Sequence, residues 1–254
     1  MTYVNFYITF MHYYLHFFDP PMTDYLNKTQ KHCLGCQCMS QLFCLLNEEE
    51  LLLVDANKIH VHFKAGETIK KQGTFMSHVL SVNSGLAKLY IEGIEGRSAI
   101  LRIVKPTNFI GGPGIYFDQR HHFSITALVD SSVCFIDLQV FKQILSANNL
   151  FAEEFLKDFS RDVLTVYNRL IFLTQKQMPG RMADALLYLH DEIFNRAKFP
   201  MILSRFELAE LSAMSRESAV KVLRDLQKDG ILRISDHEIE ILDLETLQKI
   251  SRIG

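Results

Sequence analysis

The sequence predicts an α+β fold in three successive parts: a β-roll, one long helix and a winged helix-turn-helix. Three observations carry that reading. Residues 61–137 hold short β-rich runs punctuated by glycine, apolar residues after Phe151 recur in alternating steps of three and four, and residues 204–242 read as helix, tight turn, helix and hairpin. With 254 residues and 48% hydrophobic content the chain can bury two modest cores or one large one. A formal net charge of −2 neither requires nor excludes nucleic acid, so a DNA contact must rest on local placement of Lys and Arg.

The organisation expected is an atypical tail over 1–21, a cysteine-rich segment with the β-roll over 22–150, the long helix over 151–178 and the winged helix-turn-helix over 179–254. The tail is rich in Tyr, Phe and His and has no basic residue before Lys28, so it lacks the basic start of a secretory signal. Asn5, His12 and His16 interrupt its apolar run, which argues against a membrane span, and Pro20-Pro21 breaks any helix. The working protein is expected to begin at Met22, with no membrane partner. Five cysteines, an odd number and mostly crowded, argue against a secreted disulfide framework and for a reducing cytoplasm.

The roll is expected from the runs 63–69, 78–82, 86–91 and 99–104, with Gly66, Gly73, Gly85, Gly93 and Gly96 at the turns. The helix that follows carries Leu156, Phe159, Val163, Val166, Leu170 and Leu173 as a heptad seam, with Glu153, Lys157, Arg161 and Asp162 outside it. That pattern predicts a parallel homodimer. A second stripe, Leu164, Tyr167 and Ile171, is expected to pack on the β-domain, and Pro179-Gly180 to end the helix.

Ser204 with Glu207 forms a capping box that opens a short helix through Leu211. Ser215 caps the next helix, from Arg216 to Lys228, which buries Ala219, Val222, Leu223 and Leu226 and which Gly230 stops. Residues 231–234 and 238–242 then pair as a hairpin. The exposed side of the second helix offers Arg216, Glu217, Val220, Lys221 and Arg224, with Ser215 at its start. Arginine addresses guanine or phosphate and glutamate accepts from a cytosine amino group, so this face suits double-stranded DNA. A helical hairpin for protein contacts is the alternative.

Cys33, Cys36, Cys38 and Cys44 lie within twelve residues, and Cys134 stands alone downstream. From the residues, a redox disulfide pair, structural zinc aided by His32, and an iron–sulfur cluster all remain open, and Cys134 by itself reads as a buried strand residue. His60, His62, His121 and His122 keep haem in play. A ferredoxin-like electron carrier would leave the helix-turn-helix without a use. No nucleophile–base pair or phosphate loop stands out, so no catalytic residues are assigned and no enzyme is expected.

Taken together, 63–67 (Phe-Lys-Ala-Gly-Glu), Ser84-Gly85, the heptad helix and 215–223 (Ser-Arg-Glu-Ser-Ala-Val-Lys-Val-Leu) resemble the Crp/Fnr superfamily of bacterial transcription regulators. The resemblance implies a cyclic-nucleotide-binding-like β-roll, a homodimer, palindromic TTGA- or GTGA-like half-sites read by Arg216 and Glu217, and RNA polymerase as a partner. Lys221 replaces the family's usual second arginine. The cysteine stretch, with Val133-Cys134 and 121–124 (His-His-Phe-Ser), is similar to the FNR-like branch. It implies an oxygen-responsive [4Fe–4S] cluster on Cys33, Cys36, Cys44 and Cys134. Seven residues separate Cys36 from Cys44 where that branch has five, and Cys38 stands at the five-residue spacing, which makes it an alternate ligand. The segment 109–116 lacks the glutamate of nucleotide-binding members, and Arg120 is followed by His121 instead of Ser or Thr. Cyclic AMP is therefore not expected, and no residue is assigned to a cyclic nucleotide.

Overall fold

A computed structural model of the chain describes residues 32–36 and 39–254. The expectations for the tail, for a start at Met22 and for Cys38 lie outside the described residues. After a short turn at Phe43–Leu45 comes α1 (Glu48–Ala56), opened by a capping box between Asn47 and Glu50. Eight strands follow: β1 (Lys58–Phe63), β2 (Thr68–Lys70), β3 (His78–Ser84), β4 (Ala87–Glu92), β5 (Ser98–Val104), β6 (Phe109–Ile110), β7 (Ser124–Ala127) and β8 (Ser131–Asp137). They form two antiparallel sheets, β1-β8-β3-β6 and β2-β7-β4-β5.

Alternation along the strands turns Leu80, Val82, Leu89, Val104, Ile125, Val133 and Phe135 into the space between the sheets. The Ser84-Gly85 turn requires its glycine: φ is +83°, and a Cβ there would sit 2.2 Å from Ser131 Oγ and 2.5 Å from the Asp130 carbonyl. Asp137 caps α2 (Leu138–Ala147), and Asn148 caps α3 (Asn149–Gln175), the long helix. A second apolar cluster on the outer side of the first sheet joins Leu42, Phe43, Val54, Val79, Ile136, Phe141, Phe151 and Phe155.

The C-terminal part comprises α4 (Met178–Tyr188), continued by one wide helical turn (Leu189–Phe194), then β9 (Lys198–Pro200), α5 (Arg205–Leu211), α6 (Arg216–Lys228), β10 (Leu232–Ile234), β11 (Glu238–Ile241) and α7 (Leu244–Ile253). Its core is continuous with Leu86, Ile100 and Ile103 of the roll.

Two expectations about the long helix are corrected. It ends at Gln175, and Pro179 lies in the first turn of α4, where a missing N–H costs nothing. The stripe Leu164, Tyr167 and Ile171 does not pack on the roll, and each residue is about half exposed. At about 100° per residue these three lie on the side of α3 away from Phe151, Phe155 and Arg169, which are the residues that do meet the body. The phase of the helix admits only one of the two faces to the roll.

Candidate nucleic-acid interface and cysteine site

The helix-turn-helix is built by short-range bonds. Ser204 Oγ accepts from the Glu207 N–H at 3.2 Å, and the Glu207 carboxylate accepts from the Ser204 N–H at 2.9 Å. The turn passes through Ala213 at φ +50°, held by a 3.0 Å bond from Met214 N–H to the Ala209 carbonyl. Ser215 Oγ then accepts from the Ser218 N–H at 3.1 Å and starts α6. Ala219, Val222, Leu223 and Leu226 are buried beneath it. On the opposite side Arg216, Glu217, Val220, Lys221 and Arg224 line one open depression. The Glu217 carboxyl is held below its ordinary range by backbone and Ser215 hydrogen bonds and by Arg216, so it stays an acceptor. A helix whose first turns carry such groups over a packed inner face has the form that enters a major groove. The wing, β10–β11, is tied by Arg233 to Glu240 at 2.7 Å.

Along α3 the seam residues Leu156, Phe159, Val166, Leu170 and Leu173 are exposed, and Val163 is half-buried. The seam and the second stripe together make one wide apolar surface that no part of the described chain covers.

The cysteine stretch lies against β1 and β8. Cys33 and Cys36 share a turn closed by Cys36 N–H to the Cys33 carbonyl at 3.1 Å. Asp55 and Lys58 anchor it: Asp55 accepts from the Cys33 N–H at 2.7 Å, pairs with Lys58 at 2.7 Å and with His32 at 3.1 Å, and Lys58 Nζ is 3.1 Å from Cys33 Sγ. Burial alone would raise the Asp55 carboxyl, but the bonds from Lys58, Cys33 and His32 hold it well below the usual range. Cys134 sits on β8 opposite His60 of β1 and Ser81 of β3. Burial, helped by Cys33 and Cys36, pushes its thiol up to about 11 against the opposing charge of Lys58. Burial also raises Cys33, and Cys44 is raised by burial and by Cys36.

The fold therefore brings Cys33 and Cys36 near enough for their charges to act on Cys134, and Cys36 near enough to act on Cys44. Among the described residues no three Cys, His, Asp or Glu side chains converge tightly enough to hold a single metal ion. His60 Nε2 and Asn83 Oδ1 are left buried and unpaired beside Cys134. Thiolates of this kind suit an iron–sulfur cluster or a zinc ion alike. Sequence reasoning missed Asp55 and Lys58, and named His60 only as a haem candidate. The Asp–Lys spacing of three at a helix–strand junction was the one local signal.

In the loop after β6, Arg120 Nη1 donates to the Gly73 carbonyl at 2.8 Å, and a Cβ on Gly114 would sit 1.9 Å from the Arg120 carbonyl. The loop is packed against itself and carries no glutamate over 109–120. His121 is buried with both ring nitrogens unpaired, and burial, with Lys70 and His122, lowers it to about 4. Among the described residues no helix is long and apolar enough to cross a membrane.

Comparison with known proteins matches residues 60–148 to a cyclic nucleotide-binding domain and residues 180–250 to a Crp-like helix-turn-helix domain, together more than half of the chain. Similar curated proteins include the transcriptional activator FnrA of Stutzerimonas stutzeri, 24% identical over 84% of this chain and 90% of that protein. The regulator SdrP of Thermus thermophilus is 26% identical over 75% of this chain and 93% of its own length. Among solved structures, a regulator of the crp/fnr family from Eubacterium rectale superposes with a TM-score of 0.71 at 23% identity, covering 84% of this chain and 98% of its own. FixK2 from Bradyrhizobium japonicum gives 0.70 at 17%, covering 78% of this chain and 98% of its own.

Proposed function

We propose that this chain, which belongs to the Crp/Fnr family of transcriptional regulators, is a cytoplasmic homodimer whose DNA binding is governed by an iron–sulfur cluster held at the cysteine stretch. It is a regulator and not an enzyme. The observation that supports the sensor reading is the placing of Cys33, 3.1 Å from Lys58 Nζ of β1, on the sheet where Cys134 of β8 stands opposite His60 and feels the charges of Lys58, Cys33 and Cys36. Cys33, Cys36, Cys44 and Cys134 are the ligands in this reading, with Cys38 as the alternate, and the cluster is [4Fe–4S]. When bound, it would supply an oxygen- or redox-labile tie between the cysteine stretch and the roll.

The chain's own residues do the remainder. Lys58 and Asp55 hold the Cys33 turn against β1, and Cys134 is fixed by its ladder position between β1 and β3. The stretch continues through Leu42 and Phe43 into the cluster of Phe141, Phe151 and Phe155 at the start of α3. A change at the cysteines therefore bears on the root of the helix that carries the seam. Pairing Leu156, Phe159, Val163, Val166, Leu170 and Leu173 with their copies would set two α6 helices on successive major grooves. Arg216 and Glu217 would read each TTGA- or GTGA-like half-site, Val220 and Lys221 would flank them, and Ser215 and Arg224 would meet phosphate. RNA polymerase is the partner the family implies. No cyclic nucleotide enters this reading, because 109–120 carries no glutamate for a ribose, Asp118 is taken up by the Arg120 N–H and His122, and Arg120 is engaged with Gly73.

The test is anaerobic purification with absorbance, iron and acid-labile sulfide, followed by air. Absorption near ~400 nm that bleaches in air, with loss of palindrome binding, is the expected result. Protein with neither iron nor sulfide after anaerobic reconstitution would remove the cluster, leaving zinc, haem or a thiol pair to be separated by metal analysis and spectrum.

A further inference from the structure

The roll grips the helix-turn-helix on the side away from the DNA-reading face. Lys88, near the start of β4, is part-buried at 13% side-chain exposure and pairs with Glu207 at 2.9 Å and Glu210 at 3.5 Å, both on α5. Glu210 is itself 7% exposed. Glu207 is the capping-box residue of α5, so one carboxylate both starts that helix and ties it to the roll. A second tie comes from α3: the Arg169 guanidinium donates to the Leu211 carbonyl at the end of α5 and, at 3.4 Å, to Ile100 of β5. Arg169 is adjacent in sequence to the seam residue Leu170. Arg181 of α4 donates to the Ala213 carbonyl in the turn at 2.9 Å. None of these bonds uses Arg216, Glu217, Val220, Lys221 or Arg224, which remain open to solvent.

We infer that Lys88, backed by Arg169, is a positioning residue that sets the separation of the two DNA half-sites the dimer accepts. The argument is geometric. In a two-fold dimer the distance between recognition helices is the sum of the seam geometry and the angle of each helix-turn-helix on its own body. One base pair of spacer turns the second half-site by roughly 35° about the duplex, so that angle must be held firmly for spacing to be read. Hydrophobic contact between the domains is non-directional, whereas one part-buried ammonium between two carboxylates fixes a direction. The inference rests on the reading of α6 as the DNA-contacting helix of a dimer.

The test uses the full chain, handled anaerobically, with four duplexes: two family-type half-sites at the preferred separation, at one base pair more, at one base pair less, and a single half-site. Wild type should bind the two off-spaced duplexes about tenfold more weakly than the preferred one. Lys88→Glu should level the three spacings to within about threefold while single-half-site affinity and dimerisation stay unchanged. The double variant Lys88→Glu/Glu210→Lys, which reverses one pair and again sets a cation between two carboxylates, should restore the spacing preference. Retention of the wild-type preference in Lys88→Glu overturns the inference. An equal loss on all four duplexes, not rescued in the double variant, also overturns it, because that pattern marks simple destabilisation. Wild type that binds none of the duplexes removes the DNA reading itself, and the inference with it.

Discussion

The helix-turn-helix and the cysteine site are assembled by opposite means. In the first, each deciding bond spans a few residues: Ser204 with Glu207, Ser215 with Ser218, Gly230 with Gln227. In the second, the deciding contacts join Cys33 to Asp55 and Lys58, and Cys134, far along the chain, feels the charges of Lys58 and Cys33. A locally bonded element keeps its shape wherever its domain goes. A site closed by long-range contacts exists only while the roll is intact, which suits a sensor, since a change at any of its walls is felt by the others.

The largest expected effect sharpens that contrast. Replacing Cys134 by Ser should abolish retained iron and sulfide while leaving single-half-site binding at the wild-type level, as read by metal analysis and fluorescence anisotropy. Iron retained in full would mean the site does not reach across the sheet.

Next comes acid. The buried His121 titrates near 4 in the fold against 6.5 when exposed. The unfolded chain therefore takes up its proton first, and stability is present above about pH 6.5 and lost as pH falls toward 4. The difference corresponds to about 3 kcal/mol. Replacing His121 by Gln should flatten this slope in denaturant melts of the whole chain. An unchanged slope would assign the loss to other groups.

A smaller effect is expected at the reading face. Glu217→Ala should cost about 1–3 kcal/mol of palindrome binding and relax base preference at one position of each half-site, with melting unaltered. Competition with half-site variants measures it, and uniform weakening across all sequences would place Glu217 away from the bases. Smallest of the four, Ser215→Ala should lower stability by about 1 kcal/mol through loss of the α6 cap, visible in thermal unfolding.

What was legible from the sequence follows the same division. The bounds of α5 and α6, their caps, the buried face of α6 and the hairpin were all readable, because their causes lie within one or two turns of chain. The glycine-marked strands gave the roll, and Gly85 is required by the approach of Ser131. The long helix was legible as a helix but not in what surrounds it. The positions of Leu164, Tyr167 and Ile171 are apolar, yet which face meets the roll is decided by Phe151, Phe155 and Arg169, whose partners lie elsewhere in the chain. Pro179 read as a terminator because a proline ends one helix and begins another with equal ease. Asp55 and Lys58 were invisible as site residues, since their meaning comes only from Cys33 arriving beside them.

The open stripes of α3 bear on how long the protein lasts. A subunit parted from its copy presents Leu156, Leu164, Tyr167, Leu170 and Ile171 to the cell at once. Chaperones and proteases select chains by such surface. Loosened subunits would then be cleared and not stored, so the half-life of the protein should follow its dimer fraction, and recovery from the signal would wait on fresh synthesis.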